Sequence, residues 1–208
     1  MTAVPTSADE ITTDWLAEMT GRPADMVSVD RIGADYGFNG EVFRIGLRQG
    51  SDLAVKLWDT TTAADDRELH FYEVISHRAG IPLPRFHGGH SEGNRAVLIT
   101  DAIDVARQGD VLVAEGTGAL SAIAATLGVM HARFWDHTDA AASWLRDCTA
   151  MRPPEWFAER RPEFVERFGG FEPGLARTVF EQVPATLEVI AERWWDAPLT
   201  VVHGDLHL

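Results

Sequence analysis

A lysine, Lys56, lies inside an apolar run that is typical of a β-strand, LAVKLW at residues 53–58. Side chains alternate between the two faces of a strand, so Lys56 shares one face with Ala54 and Trp58. An ammonium group in such a position can bind the phosphate oxygens of a nucleotide. The alternative is a lysine on an edge strand that points into water, which is the usual environment of an isolated lysine.

A glutamate, Glu68, follows in a segment whose apolar residues have helical spacing. On a wheel of about 100° per residue, Glu68 falls in the middle of an apolar arc with Tyr72 and Ile75. A carboxylate that faces a protein core costs several kcal/mol unless it is paired, and Lys56 is the nearest upstream cation. We therefore predict a Lys56–Glu68 ion pair, an arrangement that fixes a lysine against nucleotide phosphates. The alternative is that Glu68 only caps or borders the end of the helix.

Three glycines, Gly33, Gly37 and Gly40, lie between the first two strand-like segments. Glycine lets main-chain N–H groups approach a phosphate closely, so this loop is a candidate phosphate-binding loop. Its spacing matches neither the G-x-G-x-x-G pattern nor a Walker A loop. Glycines are also common in ordinary turns, which is the simpler interpretation.

The segment VVHGDLHL, residues 201–208, places Asp205 after a short apolar run. The order His203-Gly204-Asp205 is typical of the start of a catalytic loop, in which His203 is expected to orient the loop. The alternative is a surface aspartate close to a chain terminus.

The elements that must position these residues change in character near residue 105. A capping-box spacing at residues 7–10 predicts a first helix that ends at Gly21. Alternating apolar residues then predict strands and one intervening helix, whereas the pattern from Gly118 onward is helical. The predicted strands are 27–32, 41–47, 53–58, 85–88 and 96–100, with a hairpin turn at 48–51. The predicted helices after the first are 63–79, a buried helix from Gly118 with the stripe Leu120, Ile123, Leu127, Met130 and Phe134, and two more at 155–168 and 173–195.

Composition narrows the class of protein. Eighteen Lys and Arg residues against 32 Asp and Glu give a net charge of −14, which disfavours nucleic acid and anionic membranes as partners. The single cysteine, Cys148, excludes an internal disulfide framework. The N-terminus lacks the features of a signal peptide, and no apolar run is long enough for a membrane span. We therefore expect a cytoplasmic protein.

The order of these features resembles the aminoglycoside phosphotransferase and choline kinase group of protein-kinase-like enzymes. The H-G-D sequence after an apolar strand is the most specific part of this resemblance, since protein kinases have H-R-D there. The segments ELHFY and IPLPR are most similar to a bacterial branch related to ecdysteroid kinases. The resemblance covers nearly the whole chain, through the glycine loop, LAVKLW, RELHFYEVI, GIPLPRF, VLITDAI, LGVMHARFW and VVHGDLH.

The resemblance implies an α+β, protein-kinase-like fold with two lobes. Residues 1–104 would form the small, nucleotide-binding lobe, an antiparallel five-stranded sheet plus a helix, preceded by the N-terminal helix. Residues 105–208 would form part of a mostly helical large lobe that ends inside the catalytic loop. In the family, an asparagine and a second aspartate that hold Mg²⁺ follow that loop. We therefore expect the metal ligands beyond residue 208, and a C-terminally truncated fragment that is inactive by itself.

The resemblance also implies roles for individual residues. Lys56 would hold the α- and β-phosphates of ATP, Glu68 would orient Lys56, and Ala54 would leave room beside the adenine. Asp205 would be the catalytic base that accepts the proton of the acceptor hydroxyl. The remaining residues expected to bind the nucleotide are Gly37 and Gly40 in the glycine loop and, in the hinge between the lobes, Leu98, Ile99, Thr100 and Asp101.

These expectations define two functions. The first is an ATP- and Mg²⁺-dependent phosphotransferase that acts on a hydroxyl group of a small molecule. The second is a non-catalytic nucleotide-binding or interaction module that retains only the small lobe, as in a pseudokinase.

Overall fold

The computed structural model describes residues 3–33, 40–61, 66–103, 117–136, 154–168, 178–182 and 200–202, together with Gly174, Thr186, Val189 and Pro198. The chain forms two compact units, the first made mainly of Met1–Phe134 and the second mainly of Leu145–Thr200. The lobe boundary predicted at residues 104 and 105 lies outside the described residues and stays a prediction.

The first unit is built around an antiparallel sheet of five strands in the order β1-β2-β3-β5-β4. The strand β3 is therefore central, with β2 on one side and β5 on the other. The predicted hairpin turn between β2 and β3 is confirmed, and Gly50 supplies its positive φ of 92°. The strands are β1 (Met26–Ile32), β2 (Glu41–Leu47), β3 (Leu53–Asp59), β4 (Phe86–Glu92) and β5 (Arg95–Asp101).

Strand β4 continues to Glu92, four residues beyond the predicted end. The predicted strand ended at Gly88, the first of two glycines in a row, and glycine is a poor strand former. The structure gives a tertiary reason for the glycines, since a Cβ atom on Gly88 would overlap the carbonyl oxygen of Met19 and one on Gly89 would overlap the side chain of Leu69. The neighbouring helices therefore pack directly on the backbone of β4.

The first helix, α1 (Thr13–Thr20), begins later than predicted. The capping box at residues 7–10 does not form, because the Glu10 carboxylate accepts hydrogen bonds from the main-chain N–H and the hydroxyl of Thr6. These bonds hold the pKa of Glu10 below its ordinary value. The helix is capped instead by Thr12, whose hydroxyl accepts from the N–H of Trp15, and it ends as predicted at Gly21 in the left-handed conformation.

One face of the sheet is covered by the N-terminal segment and α1. The indole N–H of Trp15 donates to the carbonyl of Ala3, and Arg95 on β5 donates to the carbonyl of Pro5, so residues 3–5 are tied to α1 and to the sheet. The buried residues of this core are Val4, Ile11, Trp15 and Leu16 from the N-terminal part and Phe43, Ile45, Leu53, Val55, Leu57, Val97 and Ile99 from the sheet.

The opposite face of the sheet is covered by a short helix, α2 (Arg67–His70), which continues into a π-helical turn (Phe71–Ile75) and a 3-10 turn (Ser76–Arg78). The sequence predicted one continuous α-helix here, and that prediction was wrong over its second half. A π turn holds more residues than an α turn, so a wheel of constant angle misplaces the residues after the turn. In the preceding turn, which is α-helical, Leu69 is the core residue and Glu68 lies beside it at the margin, so Glu68 is not in the middle of the buried arc as the wheel predicted.

The long helix α3 (Thr117–Phe134) matches the predicted element, but its apolar stripe is buried only in part. Met130 and Phe134 are buried, whereas Leu120 is 47% exposed. The end of α3 packs near the chain reversal at Gly80, where Val129 and Arg133 are the nearest side chains. The guanidinium of Arg78 lies over the ring of Phe134, 5.6 Å from its centroid.

The second unit contains α4 (Pro154–Phe168), close to the predicted helix at 155–168, and a π-helical turn (Thr178–Gln182). The rings of Phe164 and Phe180 pack edge to face, with centroids 5.0 Å apart. None of the helices in the described ranges is long and apolar enough to cross a membrane.

Candidate functional site

Lys56 lies in the middle of the sheet. Lys56 is the register partner of Val42 on β2 and of Leu98 on β5, so it has a neighbouring strand on each side. The alternative of an edge-strand lysine is therefore wrong. Because side chains alternate along β3, the Lys56 side chain extends from the face that α2 covers.

The predicted ion pair is confirmed. The ammonium of Lys56 donates to Oε2 of Glu68 at 2.5 Å, across the space between β3 and α2. The two side chains are 29% and 44% exposed, so the pair lies at the edge of the core and not inside it. Asp66, and not Glu68, occupies the position that precedes the first turn of α2. Glu68 therefore does not cap the helix, but it does border the end of the helix as the alternative stated, because it lies in the first turn of α2 while it pairs with Lys56.

An aromatic side chain on the π turn, Tyr72, lies beside the pair. Burial raises the pKa of Tyr72 to about 12, and the nearby Glu68 carboxylate adds to the rise because it opposes a second negative charge. Its ring stacks on Phe86 of β4 with centroids 5.9 Å apart and meets Phe71 edge to face at 5.6 Å. The contact between Tyr72 and Phe86 joins the π turn to the sheet.

Two small side chains extend the same face of the sheet beyond Lys56. Ala54 on β3 is the register partner of Thr100 on β5, and Thr100 is buried. The two neighbours Leu98 and Ile99 face opposite ways, since Leu98 packs in the cluster under α2 and Ile99 in the core under α1. All three β5 residues pair with both β3 and β4, so their main-chain groups are engaged in the sheet.

The last residue of the predicted hinge, Asp101, is also the last residue of β5. Its main-chain N–H donates to the carbonyl of Arg85, and the next N–H, of Ala102, donates to the carbonyl of Asp52. The Asp101 carboxylate accepts a hydrogen bond from Nε2 of His87 at 2.5 Å. The strand end is thus held from β4 and from the hairpin between β2 and β3.

His87 connects this strand end to the end of α1. The guanidinium of Arg22 contacts Nδ1 of His87 at 2.5 Å. Because a guanidinium only donates and a carboxylate only accepts, the two partners assign the ring proton to Nε2. Sequence reasoning missed this arrangement, since Arg22 meets His87 through the packing of α1 on β4 and Asp101 meets it through the pairing of β4 with β5.

The glycine loop is described at its two ends. Gly33 has a φ of 66°, and Gly40 lies on the backbone of β3, where a Cβ atom would come within 2.6 Å of the Leu57 carbonyl oxygen and 2.9 Å of the Trp58 Cβ. The space at Gly40 therefore requires glycine whether or not a phosphate binds. Gly37 lies outside the described residues.

The H-G-D segment is the third part of the expected site. Asp205 and His203 lie outside the described residues, so their positions stay predictions. Among the residues that the structure describes, no group of three His, Cys, Asp or Glu side chains is arranged to hold a metal ion.

Comparison with solved structures found proteins with similarity to this chain. A protein from Thermobifida fusca YX-ER1 that is provisionally assigned as a fructosamine-3-kinase has a TM-score of 0.51 and 21% sequence identity, over 96% of this chain and 68% of that one. A protein with the same provisional assignment from Haemophilus somnus 129PT has a TM-score of 0.40 and 15% identity. That match covers 57% of this chain and 37% of the Haemophilus protein. No protein-family model and no curated protein matches the chain.

The likeness to the Thermobifida protein concerns the fold. Together with the five-stranded antiparallel sheet and its covering helices, it confirms the predicted class, an α+β fold of the kinase-like kind.

Proposed function

We propose that this chain binds ATP at Lys56 and Glu68 and acts in the transfer of a phosphoryl group to a hydroxyl group of a small molecule. The observation that carries the proposal is the Lys56–Glu68 ion pair, which spans from the central strand to α2. Such a pair fixes an ammonium group against nucleotide phosphates, where catalysis depends mainly on positioning and charge neutralisation.

The ammonium of Lys56 is suited to this role. It has three donors, of which Glu68 uses one, and it is partly exposed on its face of the sheet. Lys56 is also the only lysine of the chain, because every other residue among the 18 Lys and Arg is arginine. A lysine supplies a compact point charge on a flexible stem, whereas an arginine supplies a wide planar fork. The chain thus has this kind of cation only where the phosphates are proposed to bind.

We assign the rest of the nucleotide to the same face. We assign the adenine to the region of Ala54 and Thr100, whose small side chains adjoin at the start of β3 and the end of β5, and to the chain that follows Asp101. Asp205 is assigned as the base that accepts the proton of the acceptor hydroxyl. Mg²⁺ would neutralise the phosphates when bound, and the family resemblance places its ligands after Asp205.

The acceptor class is proposed from the name of the Thermobifida protein. That protein is provisionally assigned as a fructosamine-3-kinase, so we propose a hydroxyl group of an amine-bearing sugar, with fructosamine as the first compound to assay. The net charge of −14 is compatible with a cationic acceptor, because it attracts cationic ligands mildly. Acceptor-dependent release of ADP, assayed on a chain extended through the segment that supplies the metal ligands, measures the transfer.

The proposal is tested by ATP titration calorimetry on the 208-residue chain and its Lys56→Ala variant. Loss of a charge-assisted contact to phosphate is expected to weaken ATP binding about 10- to 100-fold. Arg48→Ala is the matched control, because it also removes one positive charge, from an exposed pair with Asp25. It should bind ATP as the unmodified chain does. Equal ATP affinity in Lys56→Ala and the unmodified chain would refute the proposed nucleotide site.

A further inference from the structure

Lys56 has a second partner besides Glu68. Its ammonium lies over the ring of Trp58, 5.6 Å from the ring centroid. This distance is within the range of a cation–π interaction, in which the negative face of the ring attracts the cation. The amine is therefore held between a carboxylate from α2 and an indole from its own strand.

Trp58 is itself fixed by the element that carries the carboxylate. It is 5% exposed and belongs to a buried cluster with Leu69, Ala96 and Leu98, against which Tyr72 and Phe86 pack. Leu69 is the direct neighbour of Glu68 on α2. The cluster thus sets the distance between α2 and β3 at the position where the ion pair forms.

The glycine loop also ends on Trp58. A side chain at Gly40 would come within 2.9 Å of the Trp58 Cβ, so the backbone at the start of β2 lies directly on this residue. One side chain therefore contacts or adjoins the lysine, the helix of the glutamate and the end of the glycine loop.

We propose that Trp58 is a positioning residue for Lys56, which holds the ammonium in the orientation that receives the nucleotide phosphates. The inference rests on the proposed function and adds to it a residue that acts through Lys56. The alternative is that Trp58 only fills the core, and Trp15 offers the comparison. Trp15 is 6% exposed and lies in the core on the other face of the sheet, away from Lys56.

The contact is measured directly by NMR of the chain grown with isotope-labelled lysine. Because Lys56 is the only lysine, the spectrum contains one lysine spin system. The indole ring current should shift the protons next to the ammonium upfield. Trp58→Leu should abolish this shift, Trp58→Phe should retain part of it, and Trp15→Leu should leave it unchanged. An unchanged lysine spectrum in Trp58→Leu would overturn the proposal.

ATP titration of the same variants tests the consequence. Trp58→Leu should bind ATP about three- to tenfold more weakly, Trp58→Phe should recover most of that loss, and Trp15→Leu should bind as the unmodified chain does. A loss in Trp58→Phe as large as in Trp58→Leu, or an equal loss in Trp15→Leu, would assign Trp58 to the core alone. If Trp58→Leu does not fold, the comparison of Trp58→Phe with Trp15→Leu decides in the same way.

The two measurements separate the two hypotheses. If the unmodified chain binds no ATP while its lysine signal depends on Trp58, the proposed function fails and the contact stands. If ATP binding depends on Lys56 but neither ATP affinity nor the lysine signal depends on Trp58, the positioning role fails and the function stands.

Discussion

The Lys56–Glu68 pair matters for geometry more than for stability. Both side chains are partly exposed, at 29% and 44%, and solvent screens the attraction between such charges. Pairs of this kind contribute on the order of 0–1 kcal/mol to the free energy of unfolding. The pair therefore does little to hold α2 on the sheet, which the buried cluster around Leu69 and Trp58 does instead. Its effect is to fix the direction of the ammonium.

The same carboxylate has a measurable effect on Tyr72. The pKa of this phenol is about 12 instead of 10.0, first because the ring is buried and second because Glu68 is close. We expect Glu68→Gln to lower the pKa, since the negative charge is removed, but to leave it above 10.0 because burial remains. A pH titration of the phenolate absorbance measures this value, and the chain has only two tyrosines to resolve.

The sign of the stability change follows from the raised pKa. Between pH 10.0 and about 12 the unfolded chain has lost the phenolic proton of Tyr72 and the folded chain keeps it, so the free energy of unfolding falls as pH rises. Below pH 10.0 both states are protonated and the full contribution is present. Glu68→Gln should narrow this window from its upper end. A Tyr72 pKa that is unchanged in Glu68→Gln would show that burial alone is the cause.

At the scale of elements, the placement of α2 depends on a glycine of β4. Gly89 is opposite Leu98 in the sheet, and Leu69 packs on the space that its missing side chain leaves. A Cβ atom at this position would also come within 2.9 Å of the carbonyl oxygen of Val97, which is backbone and cannot turn away. The position of Glu68 over Lys56 therefore depends on contact between α2 and the bare backbone of β4.

We accordingly expect Gly89→Ala to destabilise the protein by about 1–3 kcal/mol, because overpacking displaces a buried side chain or the strand. Gly128→Ala on α3 is the matched control. Gly128 has no atom within 4 Å of the added Cβ, and alanine stabilises a helix relative to glycine by about 0.5–1 kcal/mol. Denaturant titration of both variants gives the free energies of unfolding. Destabilisation of equal size in both would mean that α2 does not rest on Gly89.

The sequence predicted the elements whose patterns are local. Alternation located β2 and β3 and the face of Lys56, and the charge of Glu68 in an apolar segment predicted its cation. The sequence did not predict the length of β4, because the glycines in that strand are required by the close packing of α1 and α2 and not by the strand itself. Nor did it predict the π turn after Glu68, since a helical wheel assumes one constant rotation.

Contacts that depend on tertiary packing were the hardest to predict. The histidine between Arg22 and Asp101 is an example, because its partners lie just after the end of α1 and on the neighbouring strand. The alternation of β3 did place Trp58 on the face of Lys56, but only the structure shows that it also lies against Leu69 and Gly40. Spacing along the chain carries no signal for either arrangement.

At the scale of the whole molecule, one face of the sheet in the first unit forms the larger apolar core, and the other face carries the charged pair. The face under the N-terminal segment and α1 is a continuous apolar core. The face under α2 combines a smaller apolar cluster with the lysine, the glutamate and the small side chains beside them. The larger core therefore supports the sheet from behind, so that the other face can carry charge at its margin.

This division leads to a prediction about Leu16, which is fully buried between α1 and the sheet. Leu16→Ala leaves a cavity in the larger core and is expected to lower the free energy of unfolding by about 2–5 kcal/mol. Leu120→Ala, on the exposed side of α3, makes the same chemical change at a side chain that is 47% exposed and should change it by less than about 0.5 kcal/mol. Denaturant titration of the two variants measures the difference.

Because Leu16 lies on the face opposite Lys56, the fraction of Leu16→Ala that remains folded should bind ATP with unchanged affinity. A loss of affinity as large as that of Lys56→Ala, at a temperature where the variant is folded, would mean that the two faces are not independent.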